Sequence, residues 1–106
     1  MAKVIWSTRS RDHLRRIDSY LATHSFDAAA RVVEGIFETT QTLAAHPRLG
    51  WREPALPDRE VRNLLYGRYR IVYQIRSEDA VEVLAVVHTS RDFRPKDLFD
   101  GEEFAD

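Results

Sequence analysis

Apolar and polar residues alternate most regularly between Arg68 and Arg76. There Tyr69, Ile71, Tyr73 and Ile75 fall on one side of an extended chain, and Arg68, Arg70, Val72, Gln74 and Arg76 fall on the other. That is the period of a half-buried strand in an antiparallel sheet: one face closes a core and the other presents cations to the outside. The runs Glu60-Val61-Arg62-Asn63-Leu64-Leu65 and Ala80 to His88 predict strands on either side, joined through turns at Tyr66-Gly67 and Glu78-Asp79. Gly67 stands where a tight turn calls for positive φ. Near the N-terminus, Lys3-Val4-Ile5-Trp6 is short, apolar and rich in strand formers, and predicts a first strand in the same sheet.

Between these strands the period becomes helical. Leu14, Ile17, Tyr20 and Leu21 form one stripe behind a cap at Ser7 or Thr8, and the helix is expected to end near Thr23-His24-Ser25. Ala29, Val32, Val33, Ile36, Phe37, Thr40, Leu43 and Ala44 form a second stripe of about five turns, with Asp27 as its cap. Pro47 disfavours helical geometry at His46 and sets the expected end. A short connection makes the helices an antiparallel hairpin, and their stripes need the apolar sheet face as partner. Pro47 to Asp58, with Pro47, Gly50, Pro54 and Pro57, reads as one long loop. The expected fold class is α+β, an N-terminal strand and a helical hairpin packed on an antiparallel sheet, in one domain over residues 1–106.

Composition narrows the function. A chain of 106 residues supports one core without staples, and the lack of cysteine excludes disulfides and thiolate metal sites. The N-terminus lacks the apolar run of a signal peptide and no segment approaches a membrane span, so a soluble cytoplasmic protein is expected. The net charge of -1 matters less than its distribution: five arginines against Glu60 alone between Arg59 and Arg76, and five acids without a base from Asp97 to Asp106. A basic patch is an electrostatic footprint for nucleic acid, ribosome or acidic peptide. The competing reading is a solvated sheet face with a solubilising acidic tail, which would fold back onto Arg68 or Arg76.

Candidate chemistry is sparse. His13, His24, His46 and His88 are not paired at metal-binding intervals, and the glycines are too scattered for a phosphate loop, so neither metal nor cofactor is expected. His88, at the end of the last strand, is placed to transfer protons near the arginine-bearing strands. Arg70 is expected on the open face of the central strand beside Arg68, with Arg62 one strand away and Arg91 at the exit. Guanidinium groups converging on one surface repel one another unless an anion or carboxylate binds them. Tyr69 and Tyr73 read as core residues whose hydroxyls reach the rim.

Taken in order, several stretches resemble the ParE branch of the RelE/ParE superfamily, the toxins of bacterial type II toxin–antitoxin pairs. Val4-Ile5-Trp6-Ser7, Tyr20-Leu21-Ala22, Ala29-Ala30, Leu43 to Gly50, Tyr69-Arg70-Ile71-Val72-Tyr73 and Val87-His88-Thr89-Ser90-Arg91 carry the resemblance over nearly the whole chain. It implies a curved sheet beneath the hairpin and a toxin that arrests growth until a cognate ParD-like antitoxin neutralises it in a hetero-oligomer. The antitoxin is expected to lay an amphipathic helix or strand over the hairpin and sheet edge. RelE-like relatives cut messenger RNA in the ribosomal A site without a metal, whereas ParE-like relatives poison DNA gyrase.

The resemblance also assigns residues. Arg70 matches the arginine of the family's Tyr-Arg-(Ile/Leu)-Val-Tyr strand, which in the nucleases contacts the scissile phosphate. Arg62 and Arg91 fall near basic positions on the preceding strand and after the last one. For a nuclease the catalytic set is Arg70, His88, Arg91 and Arg62, with His88 as acid or base. Glu60, however, stands about where those nucleases place a lysine, and no tyrosine follows Arg91. These departures weaken the nuclease and favour a gyrase inhibitor that does no covalent chemistry. A ribosome-dependent endoribonuclease and a non-toxic binding module of the same fold stay open as alternatives.

Overall fold

The computed structural model describes residues 1–104, with side chains as far as Asp100. β1 (Lys3–Trp6), α1 (Thr8–Ala22) and α2 (Phe26–Gln41) come first, and a 3-10 turn follows at Thr42–Ala44. β2 (Trp51–Arg52), β3 (Val61–Tyr66), β4 (Tyr69–Ser77) and β5 (Ala80–His88) complete a five-stranded sheet in the order β1-β5-β4-β3-β2. The described chain closes with a 3-10 segment, Pro95–Phe104. β2 through β5 pair antiparallel, as the alternation requires, and Gly67 turns β3 into β4 at φ 55°. β1 departs from the expected antiparallel pattern by running parallel to β5. Parallel neighbours need a long crossover, and here everything between Trp6 and Ala80 supplies it.

Both helices start at serine caps. Ser7 accepts the Ser10 amide at 3.0 Å, and Ser25 accepts the Ala28 amide at 3.1 Å. The second cap is therefore Ser25 and not Asp27, which lies inside the first turn, where its carboxylate complements the helix dipole. α2 gives way to the 3-10 turn at Thr42, before the expected stop at His46. Thr40 and Thr42 each hydrogen-bond the carbonyl three residues earlier, at 2.7 and 2.6 Å, and such bonds compete with the α-helical ladder.

The core lies on both faces of the sheet. On the helical face, Ile36 packs with Ile71, Val83 and Val86, and Leu43 packs with Tyr73 and Val81. On the opposite face Val61, Val72, Leu84 and Ala85 are buried beneath Phe99, with Leu56, Phe93 and Leu98 packed around them. The arginine-bearing face is thus covered by the proline loop and the C-terminal segment, not open as the alternation of β4 alone suggests. Register shifts in the β4–β5 pairing between Val72 and Tyr73 contribute, because both Leu84 and Ala85 then join the second cluster.

One polar group ties the long loop to this core. Tyr73 is fully buried, and its hydroxyl donates to the Pro47 carbonyl at 2.7 Å while accepting the Gly50 amide at 2.9 Å. Burial pushes the phenol pKa up, which keeps it the donor this geometry requires. Arg62, directly opposite Tyr73 on β3, adds bonds to the carbonyls of Gly50 at 2.8 Å and Arg48 at 3.3 Å. A side chain at Gly50 has no room, since its Cβ would lie 2.3 Å from the backbone oxygen of Asn63.

Replacing Tyr73 with Phe keeps the ring and leaves the Gly50 amide without an acceptor, a loss of about 1–3 kcal/mol in urea denaturation. Gly50→Ala should destabilise more than Tyr73→Phe, because relief requires backbone to move rather than one bond to be lost.

Candidate functional site

The four residues singled out by the sequence do not converge. In the β3–β4 register, Leu65 stands opposite Arg70 and Tyr73 opposite Arg62, so Arg70 and Arg62 project from opposite faces. His88 pairs with Tyr69 and meets its ring edge-on at 5.4 Å between centroids, which puts it on the helical side with Arg62. Its Nδ1 accepts the Ser90 amide at 3.1 Å and contacts the Ser90 hydroxyl at 2.7 Å, which assigns the ring proton to Nε2. Arg91 is exposed, and its amide bonds the His88 carbonyl at 3.0 Å. In place of the expected cluster of cations around one anion, Arg62 and Arg70 make separate local pairings, and Arg91 makes none among the described residues.

Arg70 is the most engaged of the four. Its guanidinium hydrogen-bonds and ion-pairs with Glu53, donates through Nε to Asn63 Oδ1 at 2.8 Å, and lies 5.4 Å from the centre of the Phe93 ring. Glu53 and Asn63 are buried, and the other carboxylate oxygen of Glu53 accepts the Ala55 amide at 3.0 Å. A buried carboxylate needs such partners, and here they come from a strand arginine and its own loop. The sequence offers Glu60, Glu82 or the acidic tail as partners for these arginines, and Glu53 lies outside that set. It reaches Arg70 because β2 pairs with β3 and the Glu53 amide then bonds the Val61 carbonyl at 2.8 Å. Arg52 and Glu60 form a second pair nearby, Arg76 stands 3.6 Å from Glu82, and Arg59 stacks on Phe99 with 3.8 Å from guanidinium carbon to ring centre. Among the described residues, the C-terminal segment returns to the sheet through Phe93, Leu98 and Phe99. The acidic side chains after Asp100 lie outside the described residues.

A second polar arrangement borders β5. β1 covers that strand only as far as Val83, and past this point α1 takes over with side chains three residues apart. Ser7 bonds the Leu84 carbonyl at 3.3 Å, Ser10 bonds the Val83 carbonyl at 2.8 Å, and His13 Nδ1 accepts the Val86 amide at 3.2 Å. Burial, followed by the charges of Arg9 and Arg16, lowers the His13 pKa, with Asp12 opposing and Arg91 adding to the fall. The Ser7-x-x-Ser10-x-x-His13 spacing was the available signal for this contact. It went unread because the apolar stripe lies beside it.

The helical hairpin leaves an apolar groove along β1. Ile5, Trp6, Leu14, Val33 and Phe37 line a depression of about 710 Å³, rimmed by Arg11, Arg15 and Asp18. Ile5 is 40% and Phe37 49% exposed, and among the described residues the buried Trp6 Nε1 has no hydrogen-bond acceptor. β1 is the end strand of the sheet, so its outer backbone edge is unpaired within it. No helix among the described residues is long and apolar enough to cross a membrane.

A hairpin laid on one face of a small mixed sheet, with an uncovered groove at the sheet edge, defines a small α+β domain. Residues 4–93 match the family described as the ParE toxin of the type II toxin–antitoxin system, parDE, and the chain belongs to that family. A solved structure, described as the chromosomal ParDE TA system from P. aeruginosa, shares the fold. Its TM-score is 0.71 at 16% identity, over 85% of this chain and 98% of that one. No curated protein matches the sequence. Membership of a toxin–antitoxin family implies an antitoxin partner.

Two substitutions check this geometry. Arg70→Met leaves the buried Glu53 side chain without its guanidinium partner and should cost about 2–4 kcal/mol in urea denaturation. The upper end of the buried-pair range is reduced because the Arg70 side chain keeps 25% exposure. His13 gives a pH dependence whose sign follows from its neutral folded form. The unfolded chain takes up a proton near the ordinary value of 6.5 and the folded chain only below it, so this contribution is whole above 6.5 and fades as pH falls. Between about pH 5 and 7.5, the urea midpoint of His13→Gln should vary less than that of the parent chain.

Proposed function

We propose that this ParE-family chain is a toxin that inhibits DNA gyrase by protein contact and is silenced by an antitoxin seated along the β1 groove. The observation that carries the reading is the separation of Arg70 from Arg62 and His88 on opposite sheet faces, with Arg70 already paired to Glu53. Cleavage at a phosphate needs a proton acceptor and charge neutralisation in one place, and this arrangement supplies them apart. Gyrase as target rests on the resemblance to ParE-like toxins. The antitoxin site rests on the groove: exposed Ile5 and Phe37 and a free strand edge suit an amphipathic segment.

The test has two arms. Purified chain should inhibit gyrase supercoiling at micromolar excess, and methionine incorporation should continue in the first minutes after induction while cells filament. An immediate fall in incorporation with cleaved messenger overturns the reading in favour of the nuclease, and unchanged growth with soluble protein removes toxicity altogether. Phe37→Asp should leave growth arrest intact while weakening antitoxin rescue. A charge in the groove costs the complex about 2 kcal/mol or more, roughly thirtyfold in affinity.

A further inference from the structure

Beyond the toxin assignment, the molecule has a second concavity, where β5 leaves the sheet. Arg9 and His13 of α1 face Arg91, Phe93 and Leu98 of the C-terminal segment across a cleft of about 340 Å³. Among the described residues neither Arg9 nor Arg91 has a carboxylate within ion-pair distance, whereas Arg52, Arg62, Arg70 and Arg76 are each paired. His13 spends Nδ1 on the Val86 amide, so its remaining ring group in the cleft is the Nε2–H donor. Asp92 and Asp97 also line the cleft. Beside His13, the charges of Arg9, Arg16 and Arg91 outweigh the opposing carboxylate of Asp12, after burial itself. The cleft lining thus combines cationic donors from Arg9, His13 and Arg91, carboxylate acceptors from Asp92 and Asp97, and apolar surface from Val87, Phe93 and Leu98.

We propose that this cleft binds a sugar phosphate, free or as part of a mononucleotide. The phosphate dianion is held by Arg9 and Arg91 with the His13 Nε2–H, in the charge-assisted geometry guanidinium groups favour. The sugar hydroxyls donate to Asp92 and Asp97, which a bare anion cannot do. Phe93, which lines the cleft, offers a ring on which a nucleobase or sugar face would rest. The gyrase reading uses none of these residues, so the two stand or fall separately.

The experiment is a titration of the full-length purified chain with ribose 5-phosphate, AMP and inorganic phosphate, followed by the NMR signals of His13, Val86 and Phe93. Saturable shifts with ribose 5-phosphate are expected, with inorganic phosphate at least about tenfold weaker. AMP tighter than ribose 5-phosphate assigns the Phe93 wall to a base, and equal affinities assign the site to the free sugar phosphate. Arg9→Gln and Arg91→Gln should each weaken binding about tenfold, while Arg31→Gln, an exposed arginine on α2, should not. Absence of saturable shifts overturns the proposal. So does inorganic phosphate binding as well as the sugar phosphate, or Arg31→Gln weakening binding as much as Arg91→Gln.

Discussion

The Tyr73 hydroxyl, wedged between the Pro47 carbonyl and the Gly50 amide, is the contact on which the far side of the molecule depends. It fixes the start of the proline loop against the middle of the sheet. From there the two residues of β2 pair with β3, and Glu53 is delivered over Arg70. Once that carboxylate is in place, the central strand no longer offers a bare cation, and the apolar residues around it can be closed over by Leu56, Phe93, Leu98 and Phe99. A buried phenol with both hydrogen-bonding roles filled thus sits upstream of a charge network, which in turn permits a second hydrophobic layer.

β5 shows the same economy at another place. It is the one strand flanked by β1 on part of its length and by a helix on the rest. Backbone groups beyond Val83 would be left bare by so short an edge strand, and the first two turns of α1 satisfy them with two hydroxyls and an imidazole. The helix thus does two jobs, with Leu14 and Ile17 turned to the core and Ser7, Ser10 and His13 turned to the strand. The polar row costs little, because each member is bonded where it is buried.

Much of this was legible from periodicity. The alternation in β4, the helical stripes and the turn at Gly67 gave the hairpin-on-sheet architecture, and Tyr73 was placed in the core, although its hydroxyl was expected at the rim and is buried instead. What β4 alone concealed was visible in β5. Ala80 to His88 is apolar nearly throughout, with Glu82 and His88 the exceptions, and a strand with no polar face is a strand covered on both sides. Val72 among the arginines carried the same message. The site was less legible, because side-chain alternation tells which residues share a face within a strand but not which strands lie in phase. That one-residue question separates Arg62 from Arg70. Glu53 was hidden for another reason: a loop has no period, and its reach is decided by anchors elsewhere.

The parallel pairing of β1 with β5 has a consequence for the chain as it is made. Residues 3–6 find their neighbours at 80–83, and the serine and histidine contacts of α1 span 73 to 77 positions. On a ribosome the first strand and first helix must wait, apolar surfaces uncovered, until the last strand has emerged. Long-range closure of this kind slows folding. It also makes completion of the chain a condition for structure: a fragment ending before β5 has no template for its own beginning. A fold built this way has no complete sheet as a nascent chain, and gains one only when its final strand is delivered.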